Sequence, residues 1–432
     1  MPLRPRLECN AANGVGMEKL AIDGGMPVFS APYPSIKNSG GRTIGAEEMA
    51  AVTDVVNSGC LAYIYGKYVG RFEEEFAQLL GVKTAVATSS GTAALHTALI
   101  YLNPEPGDEV IVSPLTDMGS VIPVVSQLAI PVFVDIDPFD QNIDPKRFEA
   151  AITPRTKAII VTHLFGAPAD MDAIMAIARK HNIFVIEDCA QAHLARYKGR
   201  MTGAIGDMAC YSFQQSKHIT TGDGGMVVTN EDGKFGRSLR LCMDKGWPRD
   251  RPGRDHLFLA PNYHMTELQA AVGVAQLRKL PEVVATRRRV AQVLDGEINQ
   301  MPAVRLLGVR PNCEEVRWAY AFSIDLDRVS VPGHKVIEAL RAEGIDCFLG
   351  YPGQVPLYRY PMLKEHLTFG KSGWPFTLPD VVTRQDFAAS LCPIAEAACL
   401  NTVVLWWTER ITEADARRIG TAIRKVIGAY EI

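Results

Sequence analysis

The chain has 432 residues, 47% hydrophobic and 22% charged, proportions of a soluble globular protein that exclude a disordered, collagen-like or coiled-coil chain. With Lys+Arg 45 against Asp+Glu 48 the net charge is −3, so no global basic field draws it to nucleic acid or to an anionic membrane. The length leaves room for two or three domains of about 150 residues each.

Residues 1–40 carry Gly and Pro at many positions and read as an irregular arm; the opening MPLRPRLECNAANG lacks the apolar core of a signal peptide. Glu47–Asn57 predicts the first helix. Phe72–Leu80 is amphipathic, with Phe72, Phe76, Leu79 and Leu80 on one helical face. Thr84–Thr88 is a short β-rich run and Thr92–Leu102 is helical. Glu109–Ser113 and Pro131–Asp135 are strand-like; the apolar stretch between them is broken by Pro123, Ser126, Gln127 and Pro131 and is too short to span a bilayer. Ala158–Thr162 and Ile183–Ile186 read as buried strands on either side of a helix, Met171–His181. Ala209–Phe213 and Gly225–Thr229 complete the set. Short apolar strands alternating with helices predict βαβ units and a mostly parallel, doubly wound sheet.

Met265–Leu280 and Ala285–Met301 are long helical patterns that Pro281 is expected to separate. After about residue 315 the pattern changes to an α+β unit: a strand at Tyr320–Ile324, a helix at Val336–Glu343, a strand at Asp346–Leu349 and a final helix at Glu413–Tyr430. Residues 351–376, rich in Tyr, Pro, Gly and Phe, read as a long loop. The expected organisation is an arm (1–40), a large domain (41–285) and a smaller C-terminal domain (286–432). The nine cysteines are odd in number, widely spaced and without a C-x-x-C pair. That argues against disulfides or structural zinc and for reduced thiols in a cytoplasm.

In an open parallel sheet, ligands gather at the carboxyl ends of the strands, and three polar runs follow strands here. Ser89-Ser90-Gly91-Thr92 lies between a strand and a helix; it is either a phosphate cradle at a helix N-terminus or a plain N-cap. Glu187-Asp188 ends an apolar strand and suits a metal, a cationic ring nitrogen or simply solvent. Lys217, in SFQQSKHITTGDGG, is either a Schiff-base lysine or a surface residue. Taken together, in this order on successive βα units, they are the parts of a pyridoxal phosphate (PLP) site.

Seven collinear stretches carry a family resemblance: SSGTAALHTAL (89–99), PGDEVIV (106–112), PVFVDID (131–137), THLFGAPADM (162–171), IEDCAQAHLARYKGR (186–200), GDMACYSFQQSKHITTGDGGMVVTN (206–230) and PNYHMTELQAAVG (261–273). In these the chain resembles the DegT/DnrJ/EryC1/StrS aminotransferases, fold type I PLP enzymes acting on keto-sugars and keto-cyclitols. The match is dense over about residues 40–300 and weaker through YPGQVPLYRYPML (351–363) and CPIAEAA (392–398). The resemblance implies a fold type I architecture and transfer of an amino group from L-glutamate or L-glutamine through pyridoxamine phosphate to a keto-sugar, expected to be nucleotide-linked, or to a keto-cyclitol. It implies that Lys217 forms the Schiff base and moves the proton, and that Asp188 pairs with the pyridinium nitrogen. Gln191 then lies beside the ring hydroxyl, while Gly91, Thr92 and Ser212 hold the phosphate. The resemblance further implies that Asn262 reaches the phosphate of a neighbouring subunit, so that two copies share their sites in a homodimer; no metal, nucleic acid or membrane partner is expected. His163 stands near the cofactor or packs behind it.

One position departs from the family. Where an aromatic residue often stacks on the cofactor ring, the run SPLTDMGS places Asp117, and a carboxylate does not stack. Either Met118 or another side chain covers the ring, or Asp117 meets a substrate hydroxyl or amine, or it caps the next helix. Lys245–Arg254 offers charge for a donor carboxylate or a substrate phosphate, or is a solvated loop. Tyr351, Tyr358 and Trp374 line the acceptor pocket or pack. The rival readings are a PLP-dependent sugar dehydratase, which would carry histidine in place of Lys217, and a non-catalytic regulatory relative.

Overall fold

The computed structural model describes residues 18–231, 233–379 and 384–432; Cys9 and the first 17 residues of the expected arm lie outside them. Two sheets organise the chain. The strands of the first are β1 (Thr84–Thr88), β2 (Glu109–Val112), β3 (Ile130–Phe133), β4 (Thr156–Thr162), β5 (Phe184–Asp188), β6 (Met208–Ser212) and β7 (Gly225–Thr229). They lie in the order β1-β7-β6-β5-β4-β2-β3. The pairs β2/β3, β2/β4, β4/β5 and β5/β6 are parallel, and β7 runs antiparallel between β6 and β1. The mostly parallel sheet read from the sequence is therefore present, with one reversed strand. Its central strands are buried on both faces, which is why AIIV (158–161) is a continuous apolar run.

The helices that matter to the site are α1 (Ala46–Ser58), α2 (Tyr68–Leu80), α3 (Gly91–Leu102), α4 (Met171–His181), α5 (Gly233–Met243) and α6 (Glu267–Ile298). α2 buries Val69, Phe72, Phe76 and Leu80 against β1, β6 and β7 and stops at Gly81 with φ 72°. α6 starts with a capping box: Thr266 Oγ1 accepts from the Gln269 N–H and the Gln269 side chain accepts from the Thr266 N–H.

The expected break at Pro281 does not occur, and α6 runs unbroken for 32 residues. Leu277, Leu280, Val283 and Val284 are buried on both sides of the proline. That packing offsets the roughly 3 kcal/mol that an interior proline costs. The first half of α6 packs on α2 and the second half, through Val290, Ala291, Leu294 and Ile298, on the other core.

That second core surrounds an antiparallel sheet of β8 (Val304–Leu306), β9 (Ala319–Ile324), β10 (Cys347–Leu349) and β11 (Thr402–Trp406), in the order β8-β9-β11-β10. α7 (Gly333–Ala342) and α8 (Glu413–Tyr430) cover it. The loop expected at 351–376 holds a 3-10 turn (Leu357–Arg359) and a one-turn helix (Pro361–Lys364). One apolar cluster joins the two sheets, with Trp318, Ala319 and Val404 packed together with Val110, Val112 and Met208. Among the described residues the cysteines are free, and no helix is long and apolar enough to cross a membrane.

Candidate active site

The carboxyl ends of β1, β2, β5 and β6 converge on a cavity of about 360 Å³. Gly91, Thr92, Asp117, Asp188, Ser212 and Lys217 line it, and Trp318, Tyr351 and Trp406 close it from the second sheet's side. Five of the seven cofactor residues implied by the family resemblance thus meet in one place, with Asp117, the departing position and a further candidate for cofactor contact, beside them. Gln191 and Asn262 do not line it.

Alternation along β5 separates the two acids that end it. Asp188 faces the cavity; Glu187 faces away. Asp188 Oδ2 accepts from the Ser120 hydroxyl (2.7 Å) and Oδ1 from the Ala190 N–H (3.1 Å). Because Ser120 spends its proton on Asp188, the 2.8 Å contact between Thr116 and Ser120 has Thr116 as donor, and Thr162 donates in turn to Thr116 at 3.0 Å. Three hydroxyls therefore point one way, toward the carboxylate. Burial pushes the Asp188 carboxyl up, and these bonds pull it back in part. A buried carboxylate of this kind is prepared for a cation.

Glu187 accepts from the backbone N–H groups of Gly203 (2.9 Å), Ile205 (2.9 Å) and Gly206 (2.7 Å) and from His163 Nε2 (3.0 Å). Burial alone would raise its pKa, but the His163 bond and the backbone donors outweigh burial and hold it low. His163 Nδ1 accepts from the Ala169 N–H (3.1 Å), so its proton sits on Nε2. Cys189 lies close to both, yet the lone pairs of Glu187 and His163 that face this cluster are already used. His163 is fully buried and supports the floor of β5 from behind.

Lys217 is only 8% exposed, and among the described residues no carboxylate stands within ion-pairing distance of it. Burial lowers its pKa, and Asp188 and Asp117 counter that in part. The result is an amine with easier access to its neutral, nucleophilic form. Ser212 Oγ accepts from the Gln214 N–H (3.3 Å), which leaves the hydroxyl proton for the cavity. Ser90 caps α3 by accepting from the Ala93 N–H (3.0 Å). The N–H groups of Gly91 and Thr92, one turn earlier than any intrahelical bond, remain available at the positive end of α3. A Cβ on residue 91 would stand 2.7 Å from the Ser212 Cβ, so only glycine lets the two walls approach this closely.

Asp117 caps the 3-10 turn Met118–Ser120, its Oδ1 accepting from the Gly119 N–H (2.8 Å), and the exposed carboxylate still borders the cavity. The cap and the cavity-facing position coexist. Gln191 stands behind the wall: its Oε1 accepts from the Phe165 N–H (2.7 Å) and its Nε2 donates to the Tyr351 hydroxyl (3.0 Å). Of the loop aromatics, Tyr351 lines the cavity, Tyr358 is buried with its hydroxyl on Glu396 (2.6 Å), and Trp374 is half exposed elsewhere.

Asn262 Oδ1 accepts from the His264 N–H (3.2 Å) outside its own chain's cavity. The basic stretch 245–254 is largely paired with the two acids that flank it, Asp244 and Asp255. Arg249, Lys245, His264 and the Tyr63 hydroxyl converge on Asp244, and Arg251 reaches Asp255 at 3.7 Å.

Ser120, Thr116, Trp318 and Trp406 went unnoticed in the sequence. The first two sit inside the SPLTDMGS run already marked. Trp318 precedes β9 and Trp406 ends β11, far along the chain, and nothing local ties them to the ends of β5 and β6. A larger recess of about 820 Å³ lies at the opposite, amino ends of the first sheet, between Asp108, Arg179 and Asp207. It holds none of the convergent groups above, so size does not choose the site.

Residues 42–377 match the model of the DegT/DnrJ/EryC1/StrS aminotransferase family. Over 370 residues the chain is 42% identical to GDP-perosamine synthase of Caulobacter vibrioides, covering 84% of this chain and 91% of that one. It is 36% identical over 431 residues to L-glutamine:2-deoxy-scyllo-inosose aminotransferase of Streptoalloteichus tenebrarius, with 94% and 97% covered. Its structure is similar to that of 3-amino-5-hydroxybenzoic acid synthase, with a TM-score of 0.80, 27% identity, and 90% and 98% of the two chains covered.

Proposed function

The chain belongs to the DegT/DnrJ/EryC1/StrS aminotransferase family, and from that premise we propose that it carries an amino group from L-glutamine or L-glutamate to a ketone on a sugar or cyclitol, with Lys217 and Asp188 as its catalytic residues. Membership makes the chain an aminotransferase and implies PLP as cofactor.

The cavity fits that group on its own chemistry. The available N–H groups of Gly91 and Thr92 at the start of α3, with the Ser212 hydroxyl opposite, suit a phosphate dianion. Asp188 suits a protonated ring nitrogen. Lys217 brings to the same space an amine with no ion-pair partner among the described residues. Bound there, PLP would supply an aldehyde for Schiff-base chemistry and a ring that withdraws electrons.

The chain's own residues do the rest. Thr162, Thr116 and Ser120 keep Asp188 an acceptor, so it would hold a protonated ring nitrogen there. Lys217 Nζ, with the cofactor bound, would be the base and acid that moves the proton at the donor and acceptor carbons. Gln191, fixed by the Phe165 N–H, hangs Tyr351 over the cavity, and Tyr351, Trp318 and Trp406 shut out water. Two copies sharing sites through Asn262 belong to the same proposal. Both kinds of acceptor stay within it, because one relative is named for a GDP-linked sugar and another for a scyllo-inosose.

The observation that carries the reading is Lys217, buried, without an ion pair among the described residues, and facing a cavity floored by Asp188. The test is the visible absorption of the purified protein with PLP, followed as L-glutamine or L-glutamate is added. The expected result is a band that the Lys217→Ala variant lacks and that one donor removes. A band unchanged by Lys217→Ala overturns the assignment of the lysine. A band untouched by either donor overturns the assignment of the donor.

A further inference from the structure

Lys217 sits in a loop whose two neighbours are both tied to one short segment of the second unit. The residue before it, Ser216, accepts through its carbonyl from the Trp318 indole N–H at 2.9 Å. The residue after it, His218, is bonded through Nε2 to the Val316 carbonyl at 2.9 Å. Residues 316–318 thus bracket the lysine. Trp318 also presents its ring to the amine itself: Lys217 Nζ lies 4.5 Å from the ring centroid.

The bracket is itself anchored. The N–H groups of Val316 and Trp318 donate to the carbonyls of Gly166 and Phe165, each at 3.0 Å. The Trp318 carbonyl accepts from Arg287 Nη1 at 3.2 Å. Trp318 is 2% exposed, wedged between Tyr351 (5.5 Å) and Trp406 (5.7 Å). Between the two gripping residues, Arg317 takes a φ of 49°, a conformation that costs an L-residue about 1–2 kcal/mol. Strain of that kind persists only where surrounding contacts impose it. A buried indole N–H needs an acceptor, and here the acceptor belongs to the lysine's loop, not to Trp318's own sheet.

We propose that Trp318 is the positioning residue of Lys217: its indole N–H fixes the loop at Ser216 while its ring face backs the amine, holding the nitrogen toward the cavity in its protonated and neutral forms alike. This rests on the reading of Lys217 as the lysine that takes up PLP. The two functions of the side chain are separable. Phenylalanine keeps a ring and loses the N–H; leucine loses both. The other charged or titratable groups near the amine are the carboxylates of Asp188 and Asp117, Asp223 in the cavity lining and the imidazole of His193, with Arg42 near the His218 carbonyl. None is altered by either substitution.

The experiment follows PLP capture by cofactor-free protein, as growth of the visible band, across pH. Trp318→Phe is expected to slow capture about fivefold to tenfold, the value of one lost hydrogen bond, with the midpoint of the pH profile in place. Trp318→Leu is expected to slow it as well and to move the midpoint down by about half to one pH unit. Loss of the ring face disfavours the ammonium, so the neutral, reacting amine appears at lower pH. General loosening of the loop would not split the two variants in this way. Wild-type rates and midpoints in both variants overturn the proposal, and so does a midpoint that shifts equally in both. If the leucine variant does not fold, the phenylalanine variant decides alone: slowed capture at an unmoved midpoint supports the proposal, and an unchanged rate overturns it. Lys217→Ala runs beside them; capture that survives in it overturns the underlying reading of the lysine instead.

Discussion

Ser120 gives its only proton to Asp188. Replacing it with alanine removes a bond to a charged group, worth about 1.5–3 kcal/mol, from a carboxylate that burial already makes reluctant to ionise. Ser120→Ala is therefore expected to weaken PLP binding about tenfold or more, measured by titrating cofactor into the cofactor-free protein. His193 gives a second test. Burial pushes its pKa down to about 3, so the folded chain keeps it neutral, while the unfolded chain takes up a proton below about pH 6.5. The unfolded state then binds more protons, and stability falls as pH drops from 6.5 toward 3. Between pH 6.5 and 5 the loss from this one group is about 2 kcal/mol. His193→Gln is expected to flatten that slope in urea unfolding at the two pH values. Asp188 and Lys217 were legible in the sequence because each stands at or just past the end of an apolar strand. Ser120 was not, because a serine near a strand end looks like any cap until its partner 68 residues away is placed beside it.

At the scale of elements, α6 shows what packing overrides. Its proline forfeits one backbone bond, yet the helix continues. Pro281→Ala is expected to restore that bond and raise the thermal midpoint, by no more than the roughly 3 kcal/mol an interior proline costs. Farther along α6, Arg287 is fully buried and donates to Glu409 (2.9 Å) and to the Trp318 carbonyl. Arg287→Ala leaves the Glu409 side chain, 5% exposed, with the Thr43 N–H and hydroxyl as donors (both 3.2 Å) and, among the described residues, Arg42 at 3.8 Å as its remaining cation. The expected loss is about 3–5 kcal/mol in denaturant unfolding. Period and punctuation made most of the first sheet readable. Met171–His181, Gly225–Thr229 and Glu413–Tyr430 have the same limits in structure as in sequence. β11 escaped for a physical reason. The helix Pro393–Asn401 runs straight into it with no Gly or Pro between them, so TVVLW has no boundary to announce it. α5 escaped in a stretch rich in Gly and Arg.

For the whole molecule, the cavity is a joint product: the first sheet supplies Asp188 and Lys217, and the second supplies the wall of Trp318, Tyr351 and Trp406. The proposed sharing of sites between two copies extends this. Mixing refolded Lys217→Ala and Asn262→Ala chains is expected to return transaminase activity above that of either alone, since one site of each mixed pair keeps both residues. Activity that never exceeds the parents argues against Asn262 acting across the pair. The order of groups along the first sheet was readable because neighbouring strand ends share one edge. The wall was not, since its residues lie far along the chain and meet the lysine's loop only in space, as the Trp318–Ser216 bond does across 102 positions. That bond also limits how such enzymes are recombined. A chimaera that borrows the C-terminal unit of a relative, to acquire its substrate range, replaces the acceptor-facing wall and the grip on Lys217 in the same stroke. Selectivity and reactivity travel as one inheritance, and a transplant meant to change only the first must carry residues 316–318 of the host.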